Sequence, residues 1–165
     1  MKKYELTEDA IIVNGYILHR IIAIIDFGDI KKGDIGGWIE NERSLDQNGN
    51  AWVSGNAWVS GNAQVYGNAQ VFGNALVYGD ALVSGNALVY GNADYIVFKN
   101  FWSSGRYFTW TRSNNMWIVG CFFGTGEELI KKAYKDSDVS GREYERVVRY
   151  VESILKDEKK ITKNQ

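Results

Sequence analysis

The chain has no proline, one cysteine and one histidine in 165 residues. A lone Cys121 excludes an intrachain disulfide framework, and with His19 as the single imidazole no Cys/His cluster has metal-ligand spacing. No metal or other cofactor is expected. No apolar run approaches the length of a membrane span, and the first sixteen residues carry Glu5, Glu8 and Asp9 where a secretory leader would be basic and then apolar. The cytosol of a bacterial host is the expected compartment, with no membrane partner. No Lys or Arg occurs from Ser44 through Phe98, so that stretch cannot neutralise phosphates and is not expected to bind nucleic acid. Threonine is absent between Thr7 and Thr109, which excludes an ice-binding threonine array on the same stretch.

What fills that stretch is a six-residue unit, Ala-x-Val-x-Gly-Asn, with valine at 53, 59, 65, 71, 77, 83 and 89. Six matches neither the helical 3.6 nor an uninterrupted strand, because Gly-Asn or Gly-Asp breaks every copy. Each copy therefore reads as a short strand plus a corner, with Ala and Val on the inward side and the residues flanking Val on the outward side. Three copies close a coil of 18 residues that stacks on the next at about 4.8 Å. The prediction is a parallel β-helix over residues 35–94. Asn56, Asn74 and Asn92 then stack along one corner, Asn62 with Asp80 and Asn68 with Asn86 along the others, as side-chain ladders that need no ligand.

Residues 1–34 read as a cap of one or two strands, built from Tyr16–Leu18 and Ile21–Ile25 after an Asn14-Gly15 turn. Ile39 and Leu45 are six apart while Leu45 and Val53 are eight apart, which predicts two extra residues bulging near Gln47–Gly49. Residues 95–165 form an α+β region: three antiparallel strands at 95–101, 106–112 and 116–122, then helices near 126–135 and 141–157 started by Thr125/Glu128 and Ser140/Glu143 capping boxes. Asp157 to Gln165 reads as a frayed charged tail.

Stacking in steps of 18 gives the outward faces. One carries Trp52, Gln70 and Leu88 beside Ser54, Phe72 and Tyr90, and so much outward apolar surface predicts a contact face. Trp52, Phe72, Leu88 and Tyr90 are the candidate oligomer face, the alternative being that the C-terminal strands and helices fold back over one face of the coils. The second concentration of chemistry is Lys99, Trp102, Arg106, Tyr107, Trp110, Thr111, Arg112 and Trp117, aromatic planes interleaved with cations. That composition stacks a base and pairs its phosphate, or serves as core plus an exposed rim. Its expected ligand is an anionic small molecule such as a nucleotide, or an acidic host protein.

The unit Val53-Ser54-Gly55-Asn56-Ala57-Trp58 and its successors resemble the hexapeptide repeats of left-handed β-helices. With Gly33-Asp34-Ile35-Gly36-Gly37-Trp38-Ile39-Glu40 and Gly120-Cys121-Phe122-Phe123-Gly124-Thr125, the chain resembles small hexapeptide-repeat proteins of phages and prophages, labelled transferase-like from their repeats. The resemblance implies parallel coils, trimers, and in many members acyl transfer with a histidine base in a groove between subunits. His19 is the one residue able to take that part, and Glu40 and Glu42 are carboxylates beside the first coil. The metal-hydroxide chemistry of other members needs three histidines. The resemblance to phage-borne proteins also implies inhibition of host defence as a role. The reading favoured on these grounds is a non-catalytic binding protein that blocks or sequesters a host component, ahead of an acyltransferase and of a purely structural oligomer.

Overall fold

In the computed structural model, which describes residues 1–163, the repeat is the backbone of the architecture. Seven two-residue strands, β4 (Trp52–Val53), β5 (Trp58–Val59), β6 (Gln64–Val65), β7 (Gln70–Val71), β8 (Leu76–Val77), β9 (Leu82–Val83) and β10 (Leu88–Val89), recur every six residues. They pair in parallel at an offset of 18, Val53 with Val71, Val71 with Val89, Trp58 with Leu76, and Gln64 with Leu82. All seven valines are fully buried and every repeat alanine is buried with them. Burying one such valine stabilises by about 1.5–3 kcal/mol, so the column supplies much of the driving force.

Glycine turns the corners from Gly55 to Gly85 at positive φ, whereas Gly91 is extended and ends the repeat. Gly61 has φ +70°, and a Cβ built there would lie 3.2 Å from the carbonyl oxygen of Gly79 in the next coil. Both the left-handed backbone and the close stacking reject a side chain. Three rungs of the polar ladders are present along the corners, with Asn62 donating to Asp80 at 3.1 Å, Asn68 to Asn86 at 3.4 Å and Asn56 to Asn74 at 3.5 Å, whereas Asn92 leaves its expected place above Asn74 and accepts the Leu76 amide.

The first coil is longer. β3 (Ile35–Ile39) places Ile39 beside Val59, and Leu45 bridges to Val65, an offset of 20. The two additional residues fall where the spacing put them, and Gly49 turns that corner with φ +67°.

Before it, β1 (Tyr4–Val13) and β2 (Tyr16–Ala23) form a hairpin about Asn14-Gly15, both at positive φ. The polar run before Tyr16 is thus a full strand, a partner that hydropathy alone did not reveal. β2 pairs antiparallel with β3, so one mixed sheet runs β1-β2-β3-β5-β8. The following loop lays Phe27 edge-on against Trp52, with ring centroids 5.4 Å apart, and Tyr4 packs on the same indole. Trp52 is consequently 2% exposed, which corrects its assignment to an oligomer face: the N-terminal segment covers it within the chain.

The C-terminal region holds four strands where the sequence predicted three: β11 (Tyr95–Lys99), β12 (Tyr107–Thr111), β13 (Met116–Val119) and β14 (Phe122–Gly124), in that order across an antiparallel sheet. The expected strand to Phe122 is cut by Gly120 at φ +57°, which reverses the chain into β14. Helix α1 (Gly126–Asp136) has the predicted Thr125/Glu128 capping box, while α2 starts earlier and ends later than expected, at Asp138–Lys163. Ser137 Oγ accepts the Ser140 amide, so the α2 start is set by Ser137 and not by Ser140. The presumed frayed tail is helical through Lys163, and its last two residues lie outside the described residues.

This region also closes the open end of the coils. Leu76, Leu82 and Leu88, one on each face of the last turn, would present unpaired amides; they donate to Asn92 Oδ1 (3.2 Å), Thr109 Oγ1 (2.9 Å) and Ser113 Oγ (2.7 Å). The Tyr95 hydroxyl donates to the Leu76 carbonyl at 2.8 Å. At the opposite end the buried Lys3 ammonium donates to the carbonyls of Ala51, Asn48 and Gly49. Edge groups of a stack are costly when buried unpaired, and side chains meet them here.

Candidate functional site

The alternation of β12 distributes the aromatic and basic cluster to opposite sides of its sheet. Phe108 and Trp110 point toward the helices and join Trp117, Leu129, Tyr144 and Val148 in a second core, while Thr109 and Thr111 are buried on the other side. Trp110, Thr111 and Trp117 are therefore packing residues, which corrects their assignment to a ligand site. Trp102 is half-buried, edge-on to Tyr144 with centroids 5.2 Å apart. Lys99 stands over the Tyr107 ring at 5.4 Å, on the first edge of the sheet.

The two arginines have different uses. Arg112 reaches Glu158 with two guanidinium nitrogens, the nearer at 2.7 Å, and donates through Nε to the Ala93 carbonyl at 3.0 Å. Its guanidinium holds the Glu158 carboxyl below the ordinary range, as an ion pair should. It is a tie between α2 and the end of the coils. Arg106 has no ion-pair partner within the described residues and lines a cavity of about 410 Å³ between the sheet and the helices.

That cavity has an apolar wall of Val119, Phe122, Leu129 and Ala133 and a polar mouth that includes Arg106, Lys132 and Asp136. At its base the geometry fixes a proton. Asn100 is 2% exposed, and its Oδ1 accepts the Ser103 amide at 3.0 Å, so its Nδ2 is the group 3.1 Å from the Tyr144 hydroxyl. An amide nitrogen only donates; the Tyr144 oxygen therefore accepts. No acceptor for the Tyr144 proton exists among the described residues, which leaves it as a donor for whatever enters. Burial raises the pKa of this hydroxyl, so it keeps that proton, although Asn100 and Arg106 pull the other way. The composition of the sequence pointed to Arg106, but nothing in it paired Asn100 with Tyr144, 44 residues away.

The positions weighed for acyl transfer lie elsewhere. His19 pairs with Ile39 in the N-terminal sheet, and its Nδ1 is 3.3 Å from the Thr7 carbonyl. Glu40 accepts the Gly61 amide at 2.6 Å and Glu42 pairs with Lys2, so each has a structural partner. At the α1 start Thr125 Oγ1 and its amide are taken by Glu128, which holds that carboxyl low and occupies the place an anion would use. Of the remaining oligomer-face residues, Phe72 packs on Tyr90, and Leu88 and Tyr90 are 39% and 61% exposed.

Comparison with known proteins bears on the coils. The family model described as the YdcK beta solenoid repeat matches residues 63–79 and 69–85. A protein of Escherichia coli (strain K12) named uncharacterized acetyltransferase YdcK is 39% identical over 61 residues, covering 32% of this chain and 19% of that protein. The chain thus matches about a fifth of the length of that curated relative. These findings support a β-solenoid repeat. No helix among the described residues is long and apolar enough to cross a membrane.

Proposed function

We propose, from the β-solenoid repeat that residues 63–85 carry, that this chain is a non-catalytic binding protein built on a left-handed β-helix. Residues 1–34 cap the coils, 35–94 form them, and 95–165 carry the site. It captures a small anion with an apolar body, or an acidic group of a host protein, in the cavity around Tyr144. The observation that supports this most is the Tyr144 hydroxyl, turned into a free donor by Asn100 and flanked by the unpaired Arg106. A neutral donor and a cation converging above an apolar wall suit a carboxylate or phosphate attached to a ring or branched chain. Asp136 at the same mouth favours ligands that also bear a hydroxyl or amino group. The resemblance to phage-borne proteins supports a role in blocking or sequestering a host component, in the host cytosol.

The test is a titration followed by nuclear magnetic resonance, with benzoate, inorganic phosphate and nucleoside monophosphates as probes. Shifts confined to Asn100, Arg106, Leu129 and Tyr144, lost in Arg106→Ala, support the reading; no response to any probe at millimolar concentration overturns it. Acetyl transfer is the second reading, favoured by the name of the Escherichia coli relative. Turnover of acetyl-CoA with amine or hydroxyl acceptors, abolished in His19→Ala with the fold intact, would put that reading first.

A further inference from the structure

The antiparallel sheet has an unused edge. Asn100 donates its amide to the Arg106 carbonyl and Arg112 donates to the Asp94 carbonyl, both at 2.8 Å, at the two ends of the β11–β12 ladder. In an antiparallel pair successive residues alternate sides, so the backbone groups of Ile96 and Phe98 also face β12 while those of Tyr95, Val97 and Lys99 face away. No backbone or side-chain partner for the amides of Tyr95, Val97 or Lys99 exists among the described residues. β11 is the terminal strand of its sheet.

A groove of about 480 Å³ runs along this edge. Its far wall is the corner of the coils, Tyr78, Gly79 and Asp80, with Tyr78 55% exposed, and Tyr107 closes it near Lys99. Exposed tyrosines with apolar bodies flank a row of free donors and acceptors, which is what strand addition uses: main-chain bonds for affinity, side-chain niches for selection. Asp80 lines the groove, and one of its carboxylate oxygens accepts the Asn62 side-chain amide at 3.1 Å. The Lys99 ammonium, over Tyr107, marks the other end.

The geometry points to β11 as a docking edge for an extended peptide of a partner protein. Such a peptide would bear an aliphatic residue between Tyr78 and Val97, a basic residue toward Asp80 and an acidic one toward Lys99. A second copy of this chain suits the edge less well. Continuing the sheet by a two-fold axis would set both copies' Tyr78–Asp80 walls on the same side of the joined sheet, in the same gap. This surface is separate from the Tyr144 cavity, and its failure or success leaves that reading untouched.

The probes are short acetylated peptides alternating valine and threonine, with lysine near one end and glutamate near the other, in both orders. At saturating peptide, exchange of the Val97 and Lys99 amides slows by at least about tenfold, the effect of one or two new backbone bonds. Lys99→Pro removes an outward amide that the sheet does not use; it abolishes that binding and leaves the melting temperature nearly unchanged, whereas Asn100→Pro, whose amide is used, melts lower. Unchanged exchange at Val97 and Lys99 with every peptide overturns the proposal. So does a Lys99→Pro protein as unstable as Asn100→Pro, because the edge is then not free, and so does a dimer in solution that Lys99→Pro dissociates.

Discussion

The Thr109 hydroxyl accepts the amide proton of Leu82 at 2.9 Å, and that contact joins the last coil to the sheet that follows it. Both groups are at an end of the stack where a further coil would otherwise sit. The side chain of one element thus replaces the backbone carbonyl of a missing one, as Ser113 does for Leu88 and Asn92 for Leu76. Thr109→Val keeps the shape and removes the acceptor. It is expected to destabilise by about 1–3 kcal/mol through the unsatisfied Leu82 amide, while Thr109→Ser stays near the parent. Chemical denaturation of the three proteins checks this.

The inward column gives a harsher outcome. Val71 pairs with both Val53 and Val89 and is fully buried, so Val71→Asp places an unpaired carboxylate between coils. The cost is at least several kcal/mol, comparable to the whole stability of such a domain. No soluble, cooperatively melting protein is expected, whereas Gln64→Asp on the exposed side of β6 should fold normally. Expression and thermal melting of the pair decide it.

How much of this was legible in the sequence depends on whether a position is governed by its own repeat or by a distant partner. Val53 to Val89, the glycine corners and the Asn62–Asp80 ladder follow from a period of six and the sterics of a strand, and all could be written down. Trp52 could not be placed, because Phe27, the residue that covers it, belongs to a loop with no repeat register. The same limit applies to Arg106 and Arg112. Two exposed-looking arginines six residues apart differ only in that α2 brings Glu158 to one of them. β1 was missed since its strand character derives from pairing with β2 and not from its own mixed composition.

The arginines therefore predict opposite phenotypes. Arg112→Ala unpairs Glu158 and frees the Ala93 carbonyl, and because the pair is partly exposed the loss is small, about 0.5–1 kcal/mol. Arg106→Ala leaves the melting temperature within error and weakens any anion bound at Tyr144, by roughly 1.5–3 kcal/mol for one charge-assisted contact. Melting curves with and without a binding probe separate the two. Equal destabilisation by both substitutions would mean that Arg106 is also a tie.

Lys3 sets a pH dependence. Burial lowers its ammonium from 10.5 to about 8, with the Asp46 carboxylate opposing the shift. Between those values the unfolded chain holds more protons than the folded one, so stability rises with pH from about 8 toward 10.5. Below that window Lys3 is charged in both states and the full cost, on the order of 3 kcal/mol, is present. Tyr4 works in the opposite sense, since burial and the nearby Glu42 and Asp46 raise its hydroxyl above 10.0, and stability falls again once the unfolded tyrosine ionises. Denaturation at a series of pH values should show a maximum near the top of the window. In Lys3→Met the rising limb should flatten; an unaltered limb there would assign it to another group.

With Trp52 covered, the apolar patch left on that face of the coils is Phe72, Leu88 and Tyr90, and its rings already pack on one another with centroids 3.7 Å apart. Leu88 and Tyr90 remain exposed at the end of the face nearest the C-terminal sheet, where Ser113 and Asp94 hold their backbone amides. A rigidly held apolar patch loses little conformational entropy on association, which favours its use as a contact. We propose that this face joins copies of the chain into a homo-oligomer, with a trimer as the size to test. Light scattering should report it, and Tyr90→Glu, on a side chain that is mostly exposed, should return the protein to monomers with its melting transition retained. A parent protein that is monomeric at every accessible concentration would leave this face without a partner and remove the oligomer from the reading.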